Sequence, residues 1–208
     1  MKGRKRRTQA ERRAATRTAL LDAAVECLAE EGYAKTTNRR IAERAGVSSG
    51  ALQHHFASKA ELLGEATRHI SARMAGEWLA RGEPEARSMR RRHELLLDRM
   101  WEIYRGPLYR AALQLLLAAD TDRDLRSQRK GTREEIARWN QTVAPMIYPD
   151  LDGRPELGAL IETGQATMRG LALRAIAGEV DVEKVWRKTR AHILAMNAAV
   201  LGEPDLSP

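Results

Sequence analysis

The residues with the most legible chemistry lie in one run, Thr36-Thr37-Asn38-Arg39-Arg40-Ile41-Ala42-Glu43-Arg44-Ala45-Gly46-Val47-Ser48-Ser49-Gly50-Ala51-Leu52-Gln53-His54-His55-Phe56-Ala57-Ser58-Lys59. It concentrates hydroxyls, guanidinium groups, an amide and imidazoles, the groups that contact phosphate oxygens and base edges. Thr36 or Thr37 can cap a short helix that carries Ile41, Ala42 and Ala45 on one face. Gly46 turns the chain without a Cβ penalty, and Ser48 opens a second helix with Leu52 and Phe56 four residues apart. Ile41, Ala42, Val47, Leu52 and Phe56 then point inward, while Arg39, Arg40, Arg44, Ser49, Gln53 and His54 face out. A helix-turn-helix requires this arrangement.

Catalytic chemistry finds no comparable support. The histidines His54, His55, His69, His93 and His192 are scattered without metal-ligand spacing. The adjacent pair, His54 and His55, points about 100° apart on a helix, a poor metal pair. There is no nucleophile-elbow pattern and no phosphate-cradling glycine loop. Cys27, the single cysteine, lies on an inward stripe and cannot form an internal disulfide. No catalytic residue, metal or cofactor is expected, and a reducing, cytoplasmic setting fits the cysteine usage.

The charge agrees with a polyanion partner. The chain of 208 residues carries a formal net charge of +8, and residues 1–68 hold 14 Lys/Arg against 8 Asp/Glu. The remaining residues are nearly balanced, which points to a nucleic-acid-binding end and a differently employed body. Residues 1–15 form a basic arm, either a phosphate- or minor-groove-tracking extension or a solvated tail. No apolar run approaches a membrane span, and no secretory signal is evident.

The elements that must position these side chains are helical throughout. Thr8 and Glu11 have capping-box spacing ahead of a helix to Glu31 that carries Leu20, Leu21, Ala24, Val25 and Leu28; Gly32 stops it. Ser58 and Glu61 repeat the spacing ahead of a fourth helix through Ile70. Longer helices are predicted over 86–104, 108–119, 122–144, 155–177 and 181–201. The fold class is therefore all-α with roughly nine helices.

In these residues the chain resembles the TetR family of transcriptional regulators. The first-helix pattern Leu20-Leu21-Asp22-Ala23-Ala24 through Glu31-Gly32-Tyr33 matches, as does Ile41-Ala42-Glu43-Arg44-Ala45-Gly46-Val47-Ser48 with Gly50, Leu52, His55, Phe56 and Lys59. The resemblance implies a three-helix DNA-binding domain over 16–66 and a larger ligand-binding and dimerisation domain over 67–208. It implies a sequence-specific regulator of transcription, most simply a repressor released from a palindromic operator by a small-molecule effector and acting at the nucleoid. The expected partners are double-stranded operator DNA, that effector and a second copy of the chain, with no membrane. Nonspecific DNA compaction, or ligand binding without regulatory DNA binding, are the alternatives.

For DNA, Thr36, Thr37 and Lys59 are expected at phosphates. Arg39, Arg40, Ser48, Ser49, Gly50, Gln53 and His54 are expected at or beside the groove. Gln53 stands where the family often has tyrosine, and it can either read a base or bond a phosphate. His55 either joins them or packs inward, and Arg44 is read chiefly as a solvated charge. For an effector, Trp78, Met100, Trp101, Tyr104, Tyr109, Gln114, Trp139, Met146 and Met168 as a set suit a planar or amphipathic organic molecule, although each alone fits a core better than a ligand contact. For the dimer, apolar stripes on the last two helices offer Leu160, Gly164 and Leu171, then Trp186, Ile193 and Met196.

Overall fold

Local capping decides where the helices begin. A computed structural model describes residues 8–82, 84–128 and 155–202. In it α1 spans Gln9–Glu31. The Thr8 hydroxyl accepts from the Glu11 N–H, and the Glu11 carboxylate accepts from the Thr8 N–H at 2.7 Å, so two otherwise orphaned donors are satisfied reciprocally. Helices α2 (Asn38–Ala45) and α3 (Ser49–His55) start after caps at Thr37 and Ser48. The box expected ahead of α4 (Lys59–Ala80) closes differently. Ser58 accepts from the Glu61 N–H, but the Glu61 carboxylate reaches past it to the Ala57 N–H.

Helix α5 (Met89–Arg105) begins three residues later than the pattern predicts, because the Ser88 hydroxyl is there to accept from the Arg91 N–H. Helix α6 (Pro107–Thr121) opens on proline, whose fixed φ and missing N–H suit a first turn. Helix α7 (Arg123–Gln128) is capped by Asp122, which accepts from the Leu125 N–H. The rest of the expected 122–144 helix, with Trp139, and the Met146 that follows it, lie outside the described residues. Helices α8 (Pro155–Ile176) and α9 (Val182–Leu201) complete the chain. Among the described residues there are nine helices and no strand.

Packing divides the chain into two units. In the first, α1 packs on α2 and α6, α2 on α3, and α6 on α7, with α4 contributing its residues to Arg73. Leu20, Ala24, Cys27, Leu28, Ile41, Leu52, Phe56, Leu62, Leu63, Leu115 and Leu125 form its buried interior. Helices α6 and α7, C-terminal to residue 66, therefore belong by packing with the N-terminal helices. Gly64 shows why: a Cβ there would lie 2.6 Å from the Cβ of Gln128, so only glycine lets α4 and α7 approach this closely. The second unit contains α4 from Met74, α5, α8 and α9, with α5, α8 and α9 in mutual contact.

The second unit buries His93 in its interior, at 1% exposure. Burial, reinforced by the neighbouring Arg92 charge, pushes the imidazole down to about 4. The unfolded chain binds a proton at this side chain below about pH 6.5, whereas the native chain resists until about pH 4. Stability should accordingly decline as pH falls through that window, and the contribution is absent above it. Thermal melts across the window should show His93→Gln with a flatter decline than the wild type.

Candidate nucleic-acid interface

The turn between α2 and α3 is built by backbone hydrogen bonds around one residue. Gly46 adopts φ 68°, in the left-handed region, and its N–H donates to the carbonyl of Glu43 while that of Val47 donates to Ala42. This closes α2 and releases the chain into the Ser48 cap, whose Oγ accepts from the Ala51 N–H at 3.1 Å. Leu52 and Phe56 are buried, which fixes the rotation of α3. Ser49, Gly50, Gln53 and His54 then share the exposed face at helical spacing. Nothing lies closer than 3.9 Å to a Cβ built on Gly50, so that backbone stands open for close approach.

The flanking basic residues divide by their partners. Arg39 is exposed and pairs with Glu43 at 2.7 Å along its own helix, a surface contact that contributes little to stability. Arg40 reaches Glu31 at 3.0 Å. Arg44, expected to be chiefly solvated, lies among three carboxylates of α1, with Glu30 at 2.7 Å, Glu31 at 3.5 Å and Glu26 at 3.7 Å. The hydrogen bond from Arg44 holds the Glu30 carboxyl below the usual carboxylate range. Two arginines of α2 thus tie it to the end of α1.

Thr37 is exposed and its Oγ1 accepts from the Arg40 N–H, leaving the cap at the surface. Thr36 is a correction. It is completely buried, and its hydroxyl donates to the Gly32 carbonyl at 2.7 Å, so its side chain braces the α1–α2 turn and does not reach phosphate. Lys59 is half-buried, with Nζ 4.4 Å from the centre of the Tyr33 ring. Burial lowers its pKa while the Asp122 charge opposes that shift. The Tyr33 hydroxyl donates to Asp122 at 2.5 Å, and burial with that bond pushes the phenol up to about 12. His55 is half-buried, and burial, then the charges of His54, Arg13 and Arg17, push its imidazole below the usual histidine value.

Sequence reasoning missed Arg17 as anything but charge. One of its guanidinium nitrogens donates to the His55 carbonyl at 2.7 Å, another pairs with Glu65, and the group lies 4.3 Å from the Phe56 ring centre. The available signal was its place one turn before Leu20 on the inward stripe of α1.

The effector candidates fall into separate places. Trp78, Met100, Trp101, Tyr104 and Met168 are buried in the second unit. Trp101 stacks on Trp186 with ring centres 5.0 Å apart, and its indole N–H has no acceptor among the described residues. Trp186 donates to Asp98 at 2.8 Å, and Arg190 pairs with the other oxygen of that carboxylate. Tyr109 and Gln114 belong instead to the first unit, where the Gln114 Oε1 accepts from the Tyr33 N–H at 3.3 Å. Trp139 lies outside the described residues.

The dimer candidates are mostly already covered. Leu160, Gly164, Leu171, Trp186 and Ile193 are buried within one chain, and Met196 is half-buried. The predicted stripe therefore fills the chain's own core. The exposed large apolar side chains of these helices are Leu173 and Ile176 on α8 and Val200 on α9.

A capped, buried helix-turn-helix with a polar outward face defines a DNA-binding regulator. The sequence pattern described as bacterial regulatory proteins, tetR family, matches residues 20–66. The HTH-type transcriptional regulator CymR of Pseudomonas putida is 32% identical over 193 residues, covering 83% of this chain and 85% of that protein. The HTH-type transcriptional repressor Rv1474c of Mycobacterium tuberculosis is 45% identical over 62 residues, 30% of this chain and 33% of that one. A solved structure of a transcriptional regulator from Saccharomonospora viridis in complex with choline shares the fold, with TM-score 0.67 at 20% identity, covering 88% of this chain and 96% of that one. The chain belongs to the TetR family, and it is a DNA-binding transcriptional regulator.

If Thr36 serves the turn, Thr36→Val should lower thermal stability by about 1–3 kcal/mol through the unsatisfied Gly32 carbonyl. The salt dependence of DNA binding should not change. A flatter salt slope would restore the phosphate contact.

Proposed function

We propose that the protein is a repressor that binds a palindromic operator as a homodimer and is released from it by a small organic effector. The observation that carries this reading is the exposed face of α3, with Ser49, Gly50, Gln53 and His54 outward and Leu52 and Phe56 locked inward. Residues 16–66 form the reading head in this proposal, and residues 1–15 add electrostatic affinity without specificity. Thr37, Arg39, Arg40 and Lys59 serve phosphates, while Ser48, by capping α3, sets the register of the reading face. The relative named as a repressor, Rv1474c, supports the direction of control.

Two reading heads must reach successive major grooves about 34–36 Å apart, which is the physical reason for a dimer. Leu173, Ile176, Met196 and Val200 are the side chains we assign to that interface, since they remain uncovered or half-covered in one chain. The effector binds in the interior of the second unit, among Trp78, Met100, Trp101, Tyr104 and Met168. The choline complex of the Saccharomonospora viridis regulator supports a small organic ligand in this fold. Its binding shifts the population toward a state of lower operator affinity.

Selection of bound duplexes from a random pool should enrich a short inverted repeat; enrichment without any palindrome would favour nonspecific compaction. On the enriched site, Lys59→Ala should weaken all sequences alike and flatten the salt slope by about one, whereas Gln53→Ala should chiefly change base preference. Leu173→Glu should convert the protein to a monomer in sedimentation. If it remains a dimer, the interface lies elsewhere.

A further inference from the structure

We infer that Arg17, with Glu65 as its anchor, is a positioning residue for DNA reading: it fixes the C-terminal end of the recognition helix without touching DNA. The inference rests on α3 being the recognition helix and deepens that assignment. A helix leaves its last carbonyls without intrahelical partners, and in α3 the exit is an extended residue, Phe56, in place of a glycine cap. Arg17 supplies what is missing. Its Nη1 donates to the His55 carbonyl at 2.7 Å, a charge-assisted bond at the negative end of the helix.

The remaining contacts lock that donor in place. Nη2 pairs with Glu65 of α4, and the guanidinium plane covers the ring of Phe56, whose side chain is 2% exposed. Three elements, α1, the end of α3 and α4, therefore meet at one planar fork. Glu65 has a second cation, Arg68, 3.8 Å from the same Oε1. Lysine cannot reproduce the arrangement, because a single ammonium lacks the fork and the flat stacking surface. Any shift of the α3 end would carry Gln53 and His54 on the outer face with it.

The test compares wild type, Arg17→Lys and Glu65→Gln on the selected operator and on an unrelated duplex, below the melting temperature of each variant. Wild-type selectivity, measured first, tests the recognition-helix assignment by itself. Arg17→Lys keeps the charge, so a phosphate contact by Arg17 predicts little change, and Glu65→Gln removes a negative charge, so simple electrostatics predicts tighter binding everywhere. The positioning role predicts the opposite pattern: both variants lose about tenfold in operator affinity, the size expected for one charge-assisted bond, with the unrelated duplex within about twofold. In free protein, α3 amides should exchange about tenfold faster in both variants while α1 and α6 stay protected. Unchanged α3 exchange, or Arg17→Lys with wild-type selectivity on a selective wild-type background, overturns the inference.

Discussion

The second helix of the helix-turn-helix, α3, has seven residues, about two turns. A helix of that length has no stability of its own in water, because the nucleation cost is spread over too few hydrogen bonds. Its position must be imposed from outside, and much of the first unit does this. Ser48 satisfies the amide end, Leu52 and Phe56 sink into the core of the first unit, and Arg17 holds the carbonyl end. Buried contacts deny α3 rotation, and the polar contacts at its two ends deny it translation. The four residues of its outer face, Ser49, Gly50, Gln53 and His54, inherit their geometry from groups that face away from them.

The same dependence redistributes the basic charge. A count of Lys and Arg over the first 68 residues suggests a uniformly cationic head. Its arginines, however, are employed unequally. Arg17 and Arg44 are committed to carboxylates of the fold, with Arg44 alone answering Glu26, Glu30 and Glu31. Such pairs contribute modestly to stability when exposed, yet they remove charges from the set freely available to a polyanion. Arg39 and Arg40, both exposed, hold one carboxylate partner each among the described residues, and with Thr37 and the outer face of α3 they form the more open surface.

How much of this was legible in the sequence depends on the range of the interaction. Capping is local, so Thr8, Thr37 and Ser48 announce helix starts within a residue or two, and the glycine turn at Gly46 is equally plain; the Ser88 cap starts α5 three residues beyond the pattern. The outward face of α3 follows from Leu52 and Phe56 being its inward face. Thr36 shows the limit, since two adjacent hydroxyls compete for one cap and only packing decides which is buried. Arg17 escapes the sequence pattern for a related reason: its partners lie 38 and 48 residues away in sequence. In α8 the periodic stripe of Leu160, Gly164 and Leu171 was read as the face for a partner. Periodicity marks an apolar face without saying which surface covers it, and here the chain covers its own. The uncovered residues, Leu173 and Ile176, stand on the opposite side of the same helix among Ala166 and Gly170, a weaker signal.

The Tyr33–Lys59–Asp122 cluster lay beyond sequence reasoning altogether. It joins the end of α1, the start of α4 and the α6–α7 junction, three places with no local reason to meet. An aromatic ring one residue past a helix stop is read as a cap contact, and the pattern gives no hint that a lysine expected at phosphate rests on it.

Cys27 gives the reading head an internal reporter. The thiol is wholly inaccessible on the core side of α1, and burial raises its pKa, so the reactive thiolate is suppressed twice over. A reagent can modify it only in molecules whose packing around this face of α1 has opened. Because the chain has no other cysteine, the rate of alkylation in native buffer is a clock for that opening alone. It can be read on unlabelled protein, with DNA present or absent.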